Sequence, residues 1–236
     1  NDNSGGAVSL SADGAVLAIG AIRNFGGASQ SGHVRVYAWG GTDWVKRGDD
    51  IDGEAANDLS GSAVSLSADG AVLAIGAPRN GGTAASAGHV RIYAWGGSAW
   101  TQRGDDIDGE AESDLSGGQA GSSSTAVSLS ADGAVVAIGA SMNNGGGSDS
   151  GHVRVHTWSG TNWVKRGDDI DGEAANDKSG HSVSLSADGT MVATGAKWND
   201  DAGTNAGHTR VYAWDGTDWA QRGADIDGVA AGDESG

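Results

Sequence analysis

An eight-residue stretch at residues 32–39, Gly-His-Val-Arg-Val-Tyr-Ala-Trp, returns three more times with small changes, and its return leaves few folds open to the chain. The copies begin at Gly32, Gly88, Gly151 and Gly207, in steps of 56, 63 and 56 residues. Each is followed by a Gly-containing tetrapeptide and a second tryptophan: Trp44, Trp100, Trp163 or Trp219. Alternation, a short Gly turn and a second run opening on Trp read as a β-hairpin. The chain is therefore four copies of one β unit.

Each unit holds four strand-like runs. In the first unit, residues 7–11 alternate apolar residues with serine, and Ala12-Asp13-Gly14 supplies turn chemistry. Residues 15–21 are apolar throughout, as in a strand covered on both faces. The third run places Val34, Val36 and Ala38 on one face and His33, Arg35, Tyr37 and Trp39 on the other. The fourth, around Trp44-Val-Lys-Arg47, is the most charged. Small residues innermost, apolar runs in the middle and charge outermost suit the four-stranded antiparallel blade of a β-propeller. The expected fold is all-β, with a β-solenoid as runner-up.

One repeat domain, 1–236, is expected, with units at about 1–56, 57–119, 120–175 and 176–236. The extra seven residues of the second step fall in the small, polar stretch 117–125, which reads as a surface loop. Asn1-Asp2-Asn3-Ser4-Gly5 is in phase with Gly232-Asp233-Glu234-Ser235-Gly236, so a further unit fits at either end. A closed four-bladed ring, part of a larger propeller or array, and subunits meeting end to end all satisfy that phase. No signal-peptide pattern is present and the first residue is Asn1, so a processed product or an excerpt is expected.

Composition narrows the partners. The net charge of −17, with 14 Lys and Arg, argues against nucleic acid, whose phosphates require clustered cations. No apolar run reaches membrane-spanning length, so membrane insertion is not expected. Zero cysteines exclude disulfides and thiol chemistry.

At the second run of the second unit, Leu73-Ala-Ile-Gly-Ala-Pro78 resembles the "GAP" half of the FG-GAP repeat, which builds integrin α-chain propellers and many extracellular proteins. The other half is visible in Gly61-Ser-Ala-Val64 and Gly180-His-Ser-Val183, with Ser60 and Ser179 in place of the family's Phe. The resemblance implies propeller blades and an extracellular setting, and that family usually closes with seven blades. Its calcium loop, between the first two strands, does not carry over: that joint has one carboxylate per unit, at Asp13, Asp69, Asp132 and Asp188.

The most carboxylate-rich joint is elsewhere. Asp50, Asp52, Glu54 and Asp58 recur as Asp106, Asp108, Glu110 and Asp114, as Asp169, Asp171, Glu173 and Asp177, and in part as Asp225 and Asp227. Convergent carboxylates of this kind are hard ligands for calcium, the one cofactor the sequence suggests; the competing reading is that they cap a repeated corner. The recurring His33, His89, His152 and His208 read as inter-blade packing rather than a metal centre. Eight tryptophans pair across hairpins, while Trp198, alone in a loop, is the candidate ligand-binding aromatic. Arg-Gly-Asp at 47–49, 103–105 and 166–168 spells an integrin-recognition tripeptide, lost at 222–224, and reads as an accident of a repeated consensus.

Phosphate-binding loops, nucleophile elbows and asymmetric catalytic sets are missing from the sequence, so no enzyme is expected. The expected function is a non-catalytic extracellular structural or adhesion module that self-associates end to end, or meets another extracellular protein or glycan. The alternative is a calcium-dependent or glycan-binding propeller.

Overall fold

A serine and an aspartate close the first turn of every unit. The Ser11 hydroxyl donates to Asp13 Oδ1 at 2.7 Å, that oxygen accepts from the Ala15 N–H, and Ser11 Oγ accepts from the Val16 N–H. The pattern recurs at Ser67 and Asp69, Ser130 and Asp132, and Ser186 and Asp188. These donors hold the Asp188 carboxyl down at about 2, the Ser186 hydroxyl contributing most. The carboxylate at this joint is a turn residue.

The computed structural model describes residues 2–119 and 125–236; Asn1 and, within the inserted stretch, Ala120, Gly121, Ser122, Ser123 and Ser124 lie outside the described residues. The first unit contains β1 (Ser4–Leu10), β2 (Val16–Ala21), β3 (His33–Trp39), β4 (Trp44–Lys46) and β5 (Ile51–Asp52). The second contains β6 (Ala63–Leu66), β7 (Val72–Ala77), β8 (His89–Trp95), β9 (Trp100–Gln102) and β10 (Ile107–Asp108). The third contains β11 (Val127–Leu129), β12 (Val135–Ala140), β13 (His152–Trp158), β14 (Trp163–Lys165) and β15 (Ile170–Asp171). The fourth contains β16 (Ser179–Leu185), β17 (Met191–Ala196), β18 (His208–Trp214), β19 (Trp219–Gln221) and β20 (Ile226–Asp227).

Each unit is one antiparallel sheet in the order β1-β2-β3-β4, with β5 also on the outer edge of β3. The expected fourth strand is thus one outer strand in two pieces. Sheets are stitched in sequence by parallel bridges from Gly32 to Ser60, Gly88 to Ser116 and Gly151 to Ser179. All four sheets are propeller blades.

Alternation decides which residues meet the next blade. Val16, Ala18, Val34, Val36 and Ile51 face forward and pack against Val64, Leu66, Leu73, Ile75 and Tyr93 of the second unit. The same two faces meet between the second and third units and between the third and fourth. Among the described residues, no blade packs against the two end faces. Val8 and Leu10, on the backward face of the first unit, are 60% and 55% exposed, whereas the equivalent Val64 and Leu66 are buried. On the forward face of the fourth unit Ile226 is 60% exposed, against 7%, 6% and 4% for Ile51, Ile107 and Ile170. The four blades therefore form an open arc rather than the closed four-bladed ring that the sequence also allowed.

One buried substitution gives an acid-sensitive point. His156 stands where the other units carry Tyr37, Tyr93 and Tyr212. Burial first, then the Arg154 and Lys165 charges, lower its pKa to about 4, with Asp169 opposing. A histidine whose folded pKa lies below its unfolded value contributes stability that is full above about pH 6.5 and is lost as pH falls toward 4. The expected loss is about 3 kcal/mol across that window. His156→Tyr should flatten the decline, which urea midpoints at pH 7 and pH 4.5 would measure; an unchanged decline would discount His156.

Candidate functional site

The outer strand of each blade is interrupted where charge is most concentrated. Tyr37 pairs with Lys46 and Val34 with Ile51, so residues 47–50 lie opposite just Arg35 and Val36. The surplus residues bulge toward the next blade. Gly48 turns with φ of +84°, a left-handed conformation that glycine adopts without Cβ strain, and a Cβ there would come within 2.9 Å of the Trp95 ring.

The bulge builds the first half of each junction. The Arg47 guanidinium lies 4.8 Å from the Trp95 ring centre and 5.6 Å from that of Trp100. The Trp100 indole N–H donates to the Arg47 carbonyl at 2.8 Å. Arg103 meets Trp158 and Trp163 in the same way, and Arg166 meets Trp214 and Trp219. The Arg-Gly of the integrin-like tripeptide is thus an inter-blade staple, worth about 1–2 kcal/mol per partly desolvated stack. Paired indoles sit 5.4–5.6 Å apart in every unit. The first pair differs in having no preceding arginine, and Trp39 and Trp44 remain 47% and 41% exposed.

The second half is ionic. Arg91 Nη2 donates to the Asp52 carbonyl at 2.7 Å, and Nη1 lies 3.4 Å from Glu54 of the preceding unit. Arg154 with Glu110 and Arg210 with Glu173 repeat this arrangement. In the first unit, Arg35 turns to its own Asp50 at 3.2 Å.

The acidic corner is dealt out to several partners. Asp50 meets Lys46, Arg35 and His33 of its own unit, while Lys165 meets Asp169 at 2.7 Å. Asp106 and Asp225 accept from Gln102 and Gln221 and face His89 and His208. His89 contributes most to lowering the Asp106 pKa. Asp52 faces His33, and Asp108 and Asp171 lie beside Gly82 and Gly145, while Asp227 pairs through its backbone with His208. Burial raises the Asp171 pKa. Glu54, Glu110 and Glu173 cross to the next blade. Asp58, Asp114 and Asp177 are buried caps, accepting from the amides of Ala55, Ala111 and Ala174 and from Asn80, Asn143 and Asn199.

Carboxylates do gather with histidine, but across junctions. Glu54 joins His89 and Asp106, Glu110 joins His152 and Asp169, and Glu173 joins Asp201, His208 and Asp225, with donor atoms within 4.8 Å of one another in each group. These groupings were hidden in the sequence because Glu54 and His89 belong to different units. The signal available was the fixed spacing of both in every complete copy.

Trp198 lies at the edge of a cavity of about 430 Å³ also lined by Leu115, Met142, Asp149, Lys178 and Lys197. It is 39% exposed, with Lys197 and Lys178 ammonium groups 5.3 and 5.5 Å from its ring centre. A second cavity, of about 410 Å³, is lined by Ala7, Val8, Val64, Val127 and His181, where the inner strands converge.

Stapled four-stranded blades in an open arc define a β-propeller module. Residues 170–212 match the FG-GAP repeat family, which is the repeat that the Gly-Ala-Pro motif resembles. No curated protein matches the chain. Among solved structures the arc is similar to a putative 6-phosphogluconolactonase from Bacteroides uniformis ATCC 8492, with TM-score 0.60 and 10% identity over 94% of this chain and 54% of that one. A putative 6-phosphogluconolactonase from Bacteroides fragilis NCTC 9343 gives 0.59 and 10% over 94% and 55%. TolB from Acinetobacter baumannii gives 0.50 and 16% over 95% and 43%. The chain spans about half the length of these β-propellers, and at such identities the likeness is one of fold.

Proposed function

We propose that the chain is a non-catalytic, extracellular structural module whose arcs join end to end, the fourth unit of one copy meeting the first unit of the next. The observation that carries this reading is the complementarity of the two open faces. The fourth unit presents Arg222 and Ile226, equivalent to the residues that staple and seal each internal junction. The first presents Trp39 and Trp44, the equivalents of the residues that receive them. Among the described residues, neither Trp39 nor Trp44 has an arginine stacked on it, and Arg222 reaches only the Met191 sulfur, at 3.5 Å. Heterologous contacts that do not close on themselves generate filaments.

The end joint differs from the internal ones in a way that sets its strength. Val229, 95% exposed, stands where Glu54, Glu110 and Glu173 bridge to the next arginine. Thr209 replaces the buried Val34. The joint keeps the staple and loses the ion pair, so reversible association is expected, weaker than the packing between covalently linked blades. Sedimentation velocity over a hundredfold range of concentration should show species growing beyond the monomer. Trp39→Ala with Trp44→Ala should abolish them without unfolding the chain, because both side chains are already half exposed. Monomers at every concentration would refute the reading.

A second reading has one observation in its favour. The exposed Trp198 ring beside a cavity flanked by Lys178 and Lys197 is a platform of the kind that stacks on a sugar face and pairs with its acidic substituents. Binding on an array of acidic glycans, lost on Trp198→Ala, would support it; an empty array would remove it.

A further inference from the structure

The fourth unit departs from the other three at one loop position. Asp201 stands where the first three units have Gly26, Gly82 and Gly145. Its N–H donates to Asn199 Oδ1 at 3.0 Å, and Asn199 is itself held by the buried Asp177 cap, so the loop that carries Asp201 is fixed from below. The substitution adds a third carboxylate to a junction that elsewhere has two.

That carboxylate meets a buried histidine whose ring lacks hydrogen bonds. His208 is fully buried, and among the described residues neither of its ring nitrogens finds a hydrogen-bond partner. Its Nδ1 lies 3.7 Å from Asp225 Oδ2, beyond hydrogen-bonding distance. At the equivalent place in the second unit, His89 Nδ1 is 3.3 Å from Asp106 Oδ2. A buried imidazole that forgoes its hydrogen bonds is costly unless another group satisfies it.

We infer that Glu173, Asp201, His208 and Asp225 form a binding site for a divalent transition cation of the zinc class, pinning the third blade to the fourth. Their donor atoms lie within 4.8 Å of one another. A tetrahedral ion with bonds of about 2.0–2.1 Å needs its donors about 3.4 Å apart, a closure that the exposed Glu173 and Asp201 side chains can make. The other contacts leave donors free. Gln221 occupies Asp225 Oδ1, leaving Oδ2 toward His208. Arg210 pairs with Glu173 Oε1, leaving Oε2. Three carboxylates against the one guanidinium leave two negative charges for a dication to balance. The imidazole nitrogen selects a zinc-class ion over calcium or magnesium, which prefer oxygen ligands throughout. The second and third units lack the fourth donor, so one tight site per chain is expected.

Asp201→Gly is the informative variant, because it restores the residue that three units already tolerate and should fold normally. Calorimetric titration of untagged protein with zinc should give one tight site in the wild type and at least tenfold weaker binding in the variant. Cobalt substitution should give visible d–d bands of a low-coordinate site, bleached in the variant. Equal affinity of the two proteins for zinc, absence of binding to the wild type, or equal affinity of the wild type for calcium would each overturn the assignment.

Discussion

Gly139→Ala is expected to separate the third blade from the fourth and to cost the domain about 3 kcal/mol or more, in the range of severe overpacking. Gly139 lies on β12 directly beneath Gly180, the residue that follows the parallel bridge to the next blade. A Cβ on Gly139 would fall within the Gly180 carbonyl oxygen, which is backbone and cannot rotate away. Gly76 stands in the same relation to Gly117, and Gly20 to Gly61. This is the physical content of the glycine in the Gly-Ala-Pro motif: it lets the inner edges of two blades touch. Gly81→Ala is the control, since a Cβ there meets nothing closer than 3.8 Å and its φ is not in the left-handed region. Thermal unfolding should show a large downward shift for Gly139→Ala and almost none for Gly81→Ala. Equal, small shifts would mean that the blades are not in backbone contact at this point.

The blade itself was legible in the sequence because every cue for it is local. Alternation at His33–Trp39 set the faces of the strand, and the Gly turn set the register that puts Trp39 opposite Trp44. Serine and aspartate at the first turn read directly as turn chemistry. What lies between blades was hidden, because it depends on residues about 50 positions apart. Arg47 looked like part of a chance tripeptide until Trp95 and Trp100 were placed beneath it. The acidic corner looked like one cluster because its residues are close in sequence. The bulge and the short β5 strand send Asp50 to its own blade, Glu54 to the next and Asp58 inward. Whether the units close into a ring is set by the angle between neighbouring sheets, which no alternation pattern encodes; the exposure of Val8, Leu10 and Ile226 reports it.

The open arc and its self-complementary ends can be tested together at one pair of positions. Within the chain, Asp105 and Asn162 meet across a junction: the Asp105 N–H donates to Asn162 Oδ1 at 3.0 Å, and Asn162 Nδ2 donates to Asp105 Oδ2 at 2.6 Å. At the next junction the Asp168 N–H donates to Asp218 Oδ1 at 2.9 Å. The corresponding positions on the two free faces are Ala224 and Asp43. The chain has no cysteine, so Asp43→Cys with Ala224→Cys places thiols at these two positions alone. Treated with a short bis-maleimide at associating concentrations, the double variant should give a ladder of covalent dimers, trimers and longer chains, and neither single variant should go beyond a dimer. A cross-link closed within one chain would show that the four blades form a ring, and no cross-link at all would show that the two faces do not meet.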